Sequence, residues 1–448
     1  MSFLRYPRYK DSGVHWLGEV PAHWEVKRLK HNLRLLTEKT DRRDHPVALE
    51  NIEGWTGRFI PTETKFEGEG VAFNAGDILF GKLRPYLAKA YRAESSGEAV
   101  GDFHVMRPRR DIDSRFAQYQ FLNREFIAIV DGSTFGSKMP RASWEFVGSM
   151  KVTTPPAAEQ SAIAAFLDRE TEKIDELVAA QRRLIALLKE KRQAVMSHAV
   201  TRGLDPAAPL KPSGIEWLGD VPAHWDLRRI GSISTKITNG FVGPTRDIFA
   251  PQGIRYLQSM HIKGNEIRYD ETNAPYFVSE DWSNEHAKSI LESGDVLIVQ
   301  TGDIGQVSVV PPEFAGCNCH ALIIVAPLRP VVSGDWLSWV LNSDYGFHTL
   351  LSIQTGALHP HLNCGDVKDV SIPVPPSPEQ QAIIEYIVGT ARDFDALTAE
   401  AQRAIDLLQE RRTAVISAAV TGQIDVRSAR LATAEPFGAV LESSSPYS

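Results

Sequence analysis

Cysteine is scarce in this chain: three residues in 448. That is too few for a disulfide framework and points to a reducing compartment. Long apolar runs are missing as well. No stretch of about 18 apolar residues occurs, so no membrane-spanning helix is expected. The segment MSFLRYPRYK has no apolar stretch after its charges, which argues against a secretory signal and for a cytoplasmic location. An excess of positive charge is also absent. There are 49 Lys+Arg against 56 Asp+Glu, a net charge of −7, which argues against a general nucleic-acid binder. Catalytic signatures are missing too. No G-x-x-x-x-G-K-[ST] phosphate loop occurs, so no ATP site of that kind is expected. The double prolines Pro155-Pro156, Pro311-Pro312 and Pro375-Pro376 lack the flanks of an adenine methyltransferase loop. The chain is expected to have no catalysis of its own and to bind no cofactor.

What is present is a repeat. Residues 13–30 read GVHWLGEVPAHWEVKRLK, and residues 214–231 read GIEWLGDVPAHWDLRRIG. Residues 154–205 open TPPAAEQSAIAAFLD, and residues 374–425 open VPPSPEQQAIIEYIV. A repeat of this size fixes the architecture before any local reading. Two similar, non-identical halves suit two similar, non-identical targets. With 43% hydrophobic and 23% charged residues, the composition is that of a soluble globular protein. The length exceeds one ordinary core.

Each half opens with a part rich in Gly, Pro, aromatics and short strand-like runs. Asp77-Ile78-Leu79-Phe80, Val296-Leu297-Ile298-Val299 and Leu322-Ile323-Ile324-Val325 read as strands. Segments 114–130 and 335–351 each read as one helix. A mixed α+β globule with a mainly antiparallel sheet follows. The closing part of each half is a long helix with apolar residues every third or fourth position. From Ile163 the series runs through Leu167, Glu170, Ile174, Leu177, Gln181, Leu184, Leu188, Lys191 and Val195 to His198. The same register 220 residues later runs from Ile383 to Ala418. Seven and nine of the eleven positions are apolar, the narrow stripe of a coiled-coil seam. Polar residues at seam positions, Lys191 and Arg411 among them, either set register or snorkel.

Helix punctuation is clear. Ser377-Pro378-Glu379-Gln380 predicts an N-cap Ser with Pro in the first turn. Ala157 stands where Ser377 does, so the first helix lacks that cap. Gly203 and Gly422 predict the C-terminal stops. A helix over 157–199 spans roughly 65 Å. Because 214–226 follows the first helix, and its copy 13–25 stands near the N-terminus, the second helix is expected to return there. The layout is α+β: two mixed α/β globules separated by two long antiparallel coiled-coil helices, with pseudo-twofold internal repetition. The expected divisions are 1–154, 155–205, 206–374 and 375–425, with a mobile tail at 426–448.

This order closely resembles the specificity subunit of type I restriction–modification enzymes. The resemblance rests on WLGEVPAHW and WLGDVPAHW, and on the PPxxEQxAI helix starts. It rests further on the tails EKRQAVMSHAVTRG and ERRTAVISAAVTG, on GDILFGKLRPYLAK and GDVLIVQTGDIG, and on TGALHPHLNCGDVKDVSIPVPP. It covers residues 3–425. It implies a non-catalytic reader of double-stranded DNA in which each globule is a target-recognition domain for one half of a gapped, asymmetric site. It also implies helices that dock two modification subunits. Those subunits would carry S-adenosylmethionine and methylate adenine, and restriction subunits would supply ATP- and Mg-dependent translocation and cleavage. A rod of roughly 65 Å spans more than one DNA turn of about 34 Å, consistent with an unread gap.

Two kinds of polar, Gly-containing loop are candidate DNA contacts. One follows the Gly-Asp strand and carries Lys82 and Arg84 in the first half, Gln300 and Thr301 in the second. The other precedes the last strand before each helix. It carries Ser137, Lys138 and Arg141 in the first half, His359, His361 and Asn363 in the second. Arg and Lys suit guanine edges and phosphates, and Asn suits adenine. Residues 22–154 carry 21 Lys+Arg against 18 Asp+Glu, whereas residues 223–373 carry 10 against 16. The second globule must therefore read DNA through local polar groups. That acidic balance is the main support for the alternative, a duplicated coiled-coil scaffold without a DNA role. Trp16, Trp24, Trp217 and Trp225 recur with Pro21 and Pro222 and are expected to pack against the helix ends. Cys317-Asn318-Cys319-His320 lacks metal-site spacing and reads as buried strand.

Overall fold

The computed structural model describes residues 4–42, 44–62, 69–136, 138–270, 276–356 and 358–427. The expected tail lies outside the described residues from 428 onward, and so does Ser137. Two compact units form: residues 1–182 with 402 onward, and residues 183–401.

Each unit is built on the same antiparallel sheet. In the first unit the strands are β1 (Leu33–Leu36), β2 (Ile78–Gly81), β3 (Ala90–Arg92) and β4 (Phe103–Pro108), in the order β1-β4-β2-β3. In the second they are β5 (Ser234–Asn239), β6 (Val296–Val299), β7 (Val307–Val309) and β8 (Leu322–Pro327), in the order β5-β8-β6-β7. The central strands read as continuous apolar runs because both of their faces are covered. All four residues of β6 are fully buried, and its alternate side chains enter two different cores: Val296 and Ile298 in one, Leu297 and Val299 in the other. Two short parallel pairings accompany the sheets, Glu98–Ala99 beside Pro46–Val47 and Tyr256–Leu257 beside Asn318–Cys319.

The segments expected as single helices are each broken in two. Helix Ser114–Phe121 is followed by Arg124–Gly132, and Gly334–Asn342 by Asp344–Ser352. Asn123 accepts hydrogen bonds from the Glu125 and Phe126 amides, and Ser343 accepts one from the Gly346 amide. A capping side chain inside an apolar period restarts the helix.

The long helices are α1 (Ala157–Arg202) and α2 (Ser377–Thr421). Ser377 is the first helical residue and not the cap. The Gln380 and Gln160 amides donate to the carbonyls of Pro376 and Pro156, so a proline carbonyl opens both helices and Ala157 costs the first one nothing. Gly203 and Gly422 close them in the left-handed conformation, with φ of 76° and 79°.

The observed seam follows the expected one only in part. Ile163, Leu167 and Ile174 on α1 and Ile383, Ile387, Ala401 and Val415 on α2 are buried as expected. Thr171, Val178 and Met196 on α1, and Ala391, Ile405 and Arg412 on α2, are also buried, each one residue past an expected position. Leu177, Leu184, Lys191 and His198 are exposed instead. Ten steps carry the α1 seam from Ile163 to Ala199, an average of about 3.6 residues per step and so the period of a straight helix. A strict 3.5 repeat drifts by about 20° per heptad against such a helix.

Each unit completes its core with the start of one long helix and the end of the other. Ile163, Leu167, Ile416 and Val420 join the first core, and Ile383, Ile387, Met196 and Val200 join the second. The end of α2 therefore meets the N-terminal segment. The Tyr9 hydroxyl donates to the Gly422 carbonyl at 3.0 Å, and Thr153 Oγ1 donates to the Val420 carbonyl at 2.5 Å.

Candidate nucleic-acid interface

The backbone brings the two candidate loops of each unit together. In the first unit the Ala142 amide donates to the Lys82 carbonyl at 2.9 Å and the Arg84 amide to the Pro140 carbonyl at 2.9 Å. Leu83 bridges Arg141, which also bridges Phe135 across the loop tip. In the second unit the Leu362 amide donates to the Gln300 carbonyl at 3.0 Å. Thr301 bridges His361, which also bridges Thr355. Lys82 thus corresponds to Gln300, Leu83 to Thr301 and Arg141 to His361. Lys138, exposed at the first tip, corresponds to Leu358, which is 90% exposed. His359 is exposed at the second tip. Arg84 sits in the left-handed region at φ 50°, a sharp turn that lifts this loop off the end of β2.

The side chains on these matched frames differ. Arg141 donates from Nε and Nη2 to the two oxygens of Asp102, at 3.1 and 2.9 Å, and Lys82 Nζ lies 3.6 Å from the same carboxylate. Burial raises the Asp102 pKa, but the hydrogen bonds and charges of Arg141 and Lys82 outweigh it and hold the carboxyl below its usual range. The second unit has Ala321 at the matching place, preceding β8 as Asp102 precedes β4. There Gln300 Oε1 and His320 Nδ1 are buried with no hydrogen-bond partner among the described residues, and His361 Nε2 lies 3.4 Å from Thr355 Oγ1. Asn363 serves a helix start: it accepts from the Asp366 amide at 3.1 Å, and its own amide group donates to the Asp366 carboxylate.

The repeated motifs hold a second set of residues whose chemistry sequence reasoning passed over. His23 Nε2 lies 2.8 Å from Glu159 Oε2, and His224 Nε2 lies 2.8 Å from Glu379 Oε2. The His of VPAHW therefore meets the Glu of PPxxEQ in both units. The adjacent Gln160 donates to the carbonyls of Pro155 and Asp111 and accepts from the Asp113 amide. Gln380 does the same with Pro375, Val331 and Ser333. These contacts dock each globule on the helix that follows it. Recurrence of His and Glu in the two motifs was the available signal. For Asp102 there was none, because it does not recur.

Trp24 and Trp225 are fully buried at the helix ends, and Trp16 packs edge-on against Phe126. Trp217 departs from the expected packing: it is 60% exposed and donates only to Thr349 Oγ1. Cys317 and Cys319 are buried, and burial pushes the Cys317 thiol up to about 11. Among the described residues no group of three or more His, Cys, Asp or Glu is placed to hold a metal ion, and no helix is long and apolar enough to cross a membrane.

No family model matches the chain. The type I restriction enzyme MjaVIII specificity subunit of Methanocaldococcus jannaschii is 20% identical over 457 residues, covering 96% of this chain and 98% of the relative. The EcoBI specificity subunit of Escherichia coli is 22% identical over 306 residues, 67% of this chain and 64% of the relative. Among solved structures, a chain of a type I restriction–modification system, solved for its complex assembly and conformational transition, superposes with a TM-score of 0.66. It has 18% identity and covers 90% of this chain and 98% of its own length. The HsdS subunit of Thermoanaerobacter tengcongensis superposes with a TM-score of 0.50 at 18% identity, with the same coverage. The duplicated sheets, the two long helices and this near-complete match agree: the chain is a homologue of the type I restriction enzyme specificity subunits.

Proposed function

We propose that this chain is the DNA sequence-specificity subunit of a type I restriction–modification complex, with each unit reading one half of a gapped, asymmetric site. The observation that carries the reading is the pair of loops joined on the same frame in both units with different side chains. A shared frame supplies equivalent placement, and different loop residues supply different base preferences. Lys82 and Arg141 suit a guanine edge, whereas Gln300, Thr301 and His361 suit neutral donor–acceptor pairs. The second unit needs no net positive charge for such contacts. Charge-neutralising phosphate contacts by Lys and Arg fall mainly to the first unit and to the partners. A coiled-coil scaffold without a DNA role is not favoured, since the relatives are specificity subunits.

The chain itself is non-catalytic. The long helices dock two modification subunits, and their exposed leucines suit that task. Leu177 and Leu187 on α1 and Leu397 and Leu407 on α2 are 220 residues apart in pairs and solvent-exposed. Two equivalent apolar patches offer two equivalent docking places. The modification subunits bring S-adenosylmethionine and restriction subunits bring ATP and Mg, all in the cytoplasm.

The test is adenine-methylation mapping in cells expressing the chain with its modification subunit, against cells expressing the modification subunit alone. A two-part gapped motif present only with the chain is expected. A motif that appears without the chain overturns the reading, as does a folded complex that methylates no gapped motif.

A further inference from the structure

Arg141 is the one candidate reader whose guanidinium is fixed by a carboxylate on a neighbouring turn. Its Nε and Nη2 donate to Asp102 as a two-point fork. A guanidinium has five N–H donors, so the fork leaves three, two of them paired on the Nη1–Nη2 edge. Paired donors on one planar edge match the O6/N7 acceptors of guanine in the major groove. The fork is itself held by backbone. Gly101 turns at φ 91°, the Lys82 amide donates to the Asp102 carbonyl, and the Ala142 amide donates to the Lys82 carbonyl. Asp102, Lys82 and Arg141 therefore move as one piece. Asp102 remains 22% exposed, and Arg141 39%, so the edge is open to a ligand. A carboxylate this close also repels phosphate oxygens, which favours a base edge over the backbone as the partner. The second unit has Ala321 and His361 in the matching places and so lacks the device.

Building on the specificity reading above, we infer that Asp102 is a positioning residue that orients Arg141 to read one guanine in the half-site of the first unit. Two-point fixing of a long side chain restricts its rotamers before binding, so discrimination at that base pair depends on Asp102 although Asp102 makes no contact with DNA.

The experiment is methylation mapping with the assembled complex carrying Asp102→Asn, Asp102→Ala or Arg141→Lys. Each substitution is expected to relax the same single G·C position of one half-site, by tenfold or more in relative methylation. The other half-site should keep its full preference, which also reports that the subunit is folded and assembled. The inference is overturned if the Asp102 variants keep the wild-type motif, even at a lower rate. It is overturned equally if they relax a different position from Arg141→Lys, or if methylation rises uniformly, as it would were Asp102 only neutralising the cations. If Asp102→Ala abolishes all methylation, Asp102→Asn and Arg141→Lys decide alone. A wild-type complex with no gapped motif refutes the specificity reading itself, a different outcome from any of these.

Discussion

Arg412 donates through Nε to Asp175 at 3.1 Å, and Arg192 lies with its Nε 3.7 Å from Asp395. The second pair is the first one carried along the sequence by 220 residues, with the roles of the helices exchanged. In each pair one member comes from α1 and the other from α2, and the residue numbers sum to the same value. The environments differ. Arg412 is 9% exposed and Asp175 12%, and Arg412 Nη1 also donates to the Trp55 carbonyl at 2.7 Å. Arg192 and Asp395 are 33% and 69% exposed and share no hydrogen bond.

Arg412→Ala is therefore expected to destabilise the first unit by about 1.5–3 kcal/mol, because it removes a hydrogen-bonded partner of the largely buried Asp175 carboxylate and leaves it to the half-exposed Arg58. Arg192→Ala is expected to cost below about 1 kcal/mol, as solvent-screened pairs do. Urea unfolding of the two variants checks this, and equal costs would contradict the asymmetry.

The end of α2 supplies a second comparison. A Cβ on Gly422 would stand 2.3 Å from Cδ of Pro21 and 2.9 Å from Trp24, whereas a Cβ on Gly203 would stand 3.3 Å from Trp225. Both glycines have positive φ. Gly422→Ala is expected to cost more than the roughly 1 kcal/mol of a left-handed alanine, because Pro21 and Trp24 must also move. Gly203→Ala is expected to stay near that value. Thermal midpoints of the two variants give the order directly.

Much of this was legible in the sequence because the repeat states it. The helix ends, the buried tryptophans Trp24 and Trp225, and the central strands β2, β6 and β8 follow from matched motifs and apolar runs. Part of the seam lies one residue from its expected place because Leu177, Leu184 and Leu397 are apolar yet face outward, while Ile174, Ala401 and Val415 are buried where the pattern puts them. The breaks at Asn123 and Ser343 were hidden because each cap sits inside an apolar period. The union of the two loops, and the part Asp102 plays in it, depends on hydrogen bonds between segments far apart in sequence. No local pattern encodes those.

The motif residues His23 and His224 lead to a third prediction. Glu159 is buried, and among the described residues His23 and the Tyr6 hydroxyl face its carboxylate. Glu379 is more exposed and also accepts from Trp225 Nε1 at 3.1 Å. His23→Ala is expected to cost about 1–3 kcal/mol by leaving a buried acceptor poorly satisfied. His224→Ala is expected to cost less, since Trp225 and water remain. Chemical denaturation of both variants checks the ranking. A larger loss for His224→Ala would show that the two copies of the motif are not the same lock.

Three histidines set how stability responds to mild acid. Burial lowers the pKa of His104, His261 and His320, and for His104 the nearby Lys82 adds to that effect, while the Ala142 carbonyl 3.0 Å away and Glu145 oppose it. In the unfolded chain an imidazole titrates near about 6.5. Between the folded and unfolded values the unfolded chain binds more protons, so stability rises with pH across that interval. The contribution is complete above about pH 6.5 and is lost as pH falls through the folded values. Urea midpoints are therefore expected to be level between about pH 7 and 8 and to fall below about pH 6.5. His320→Phe should reduce the fall, because its half-buried ring lies beside Phe241 and Tyr256 and phenylalanine takes up no proton there. A midpoint that does not change down to pH 5, or a fall of the same size in the variant, would show that these imidazoles do not carry the effect.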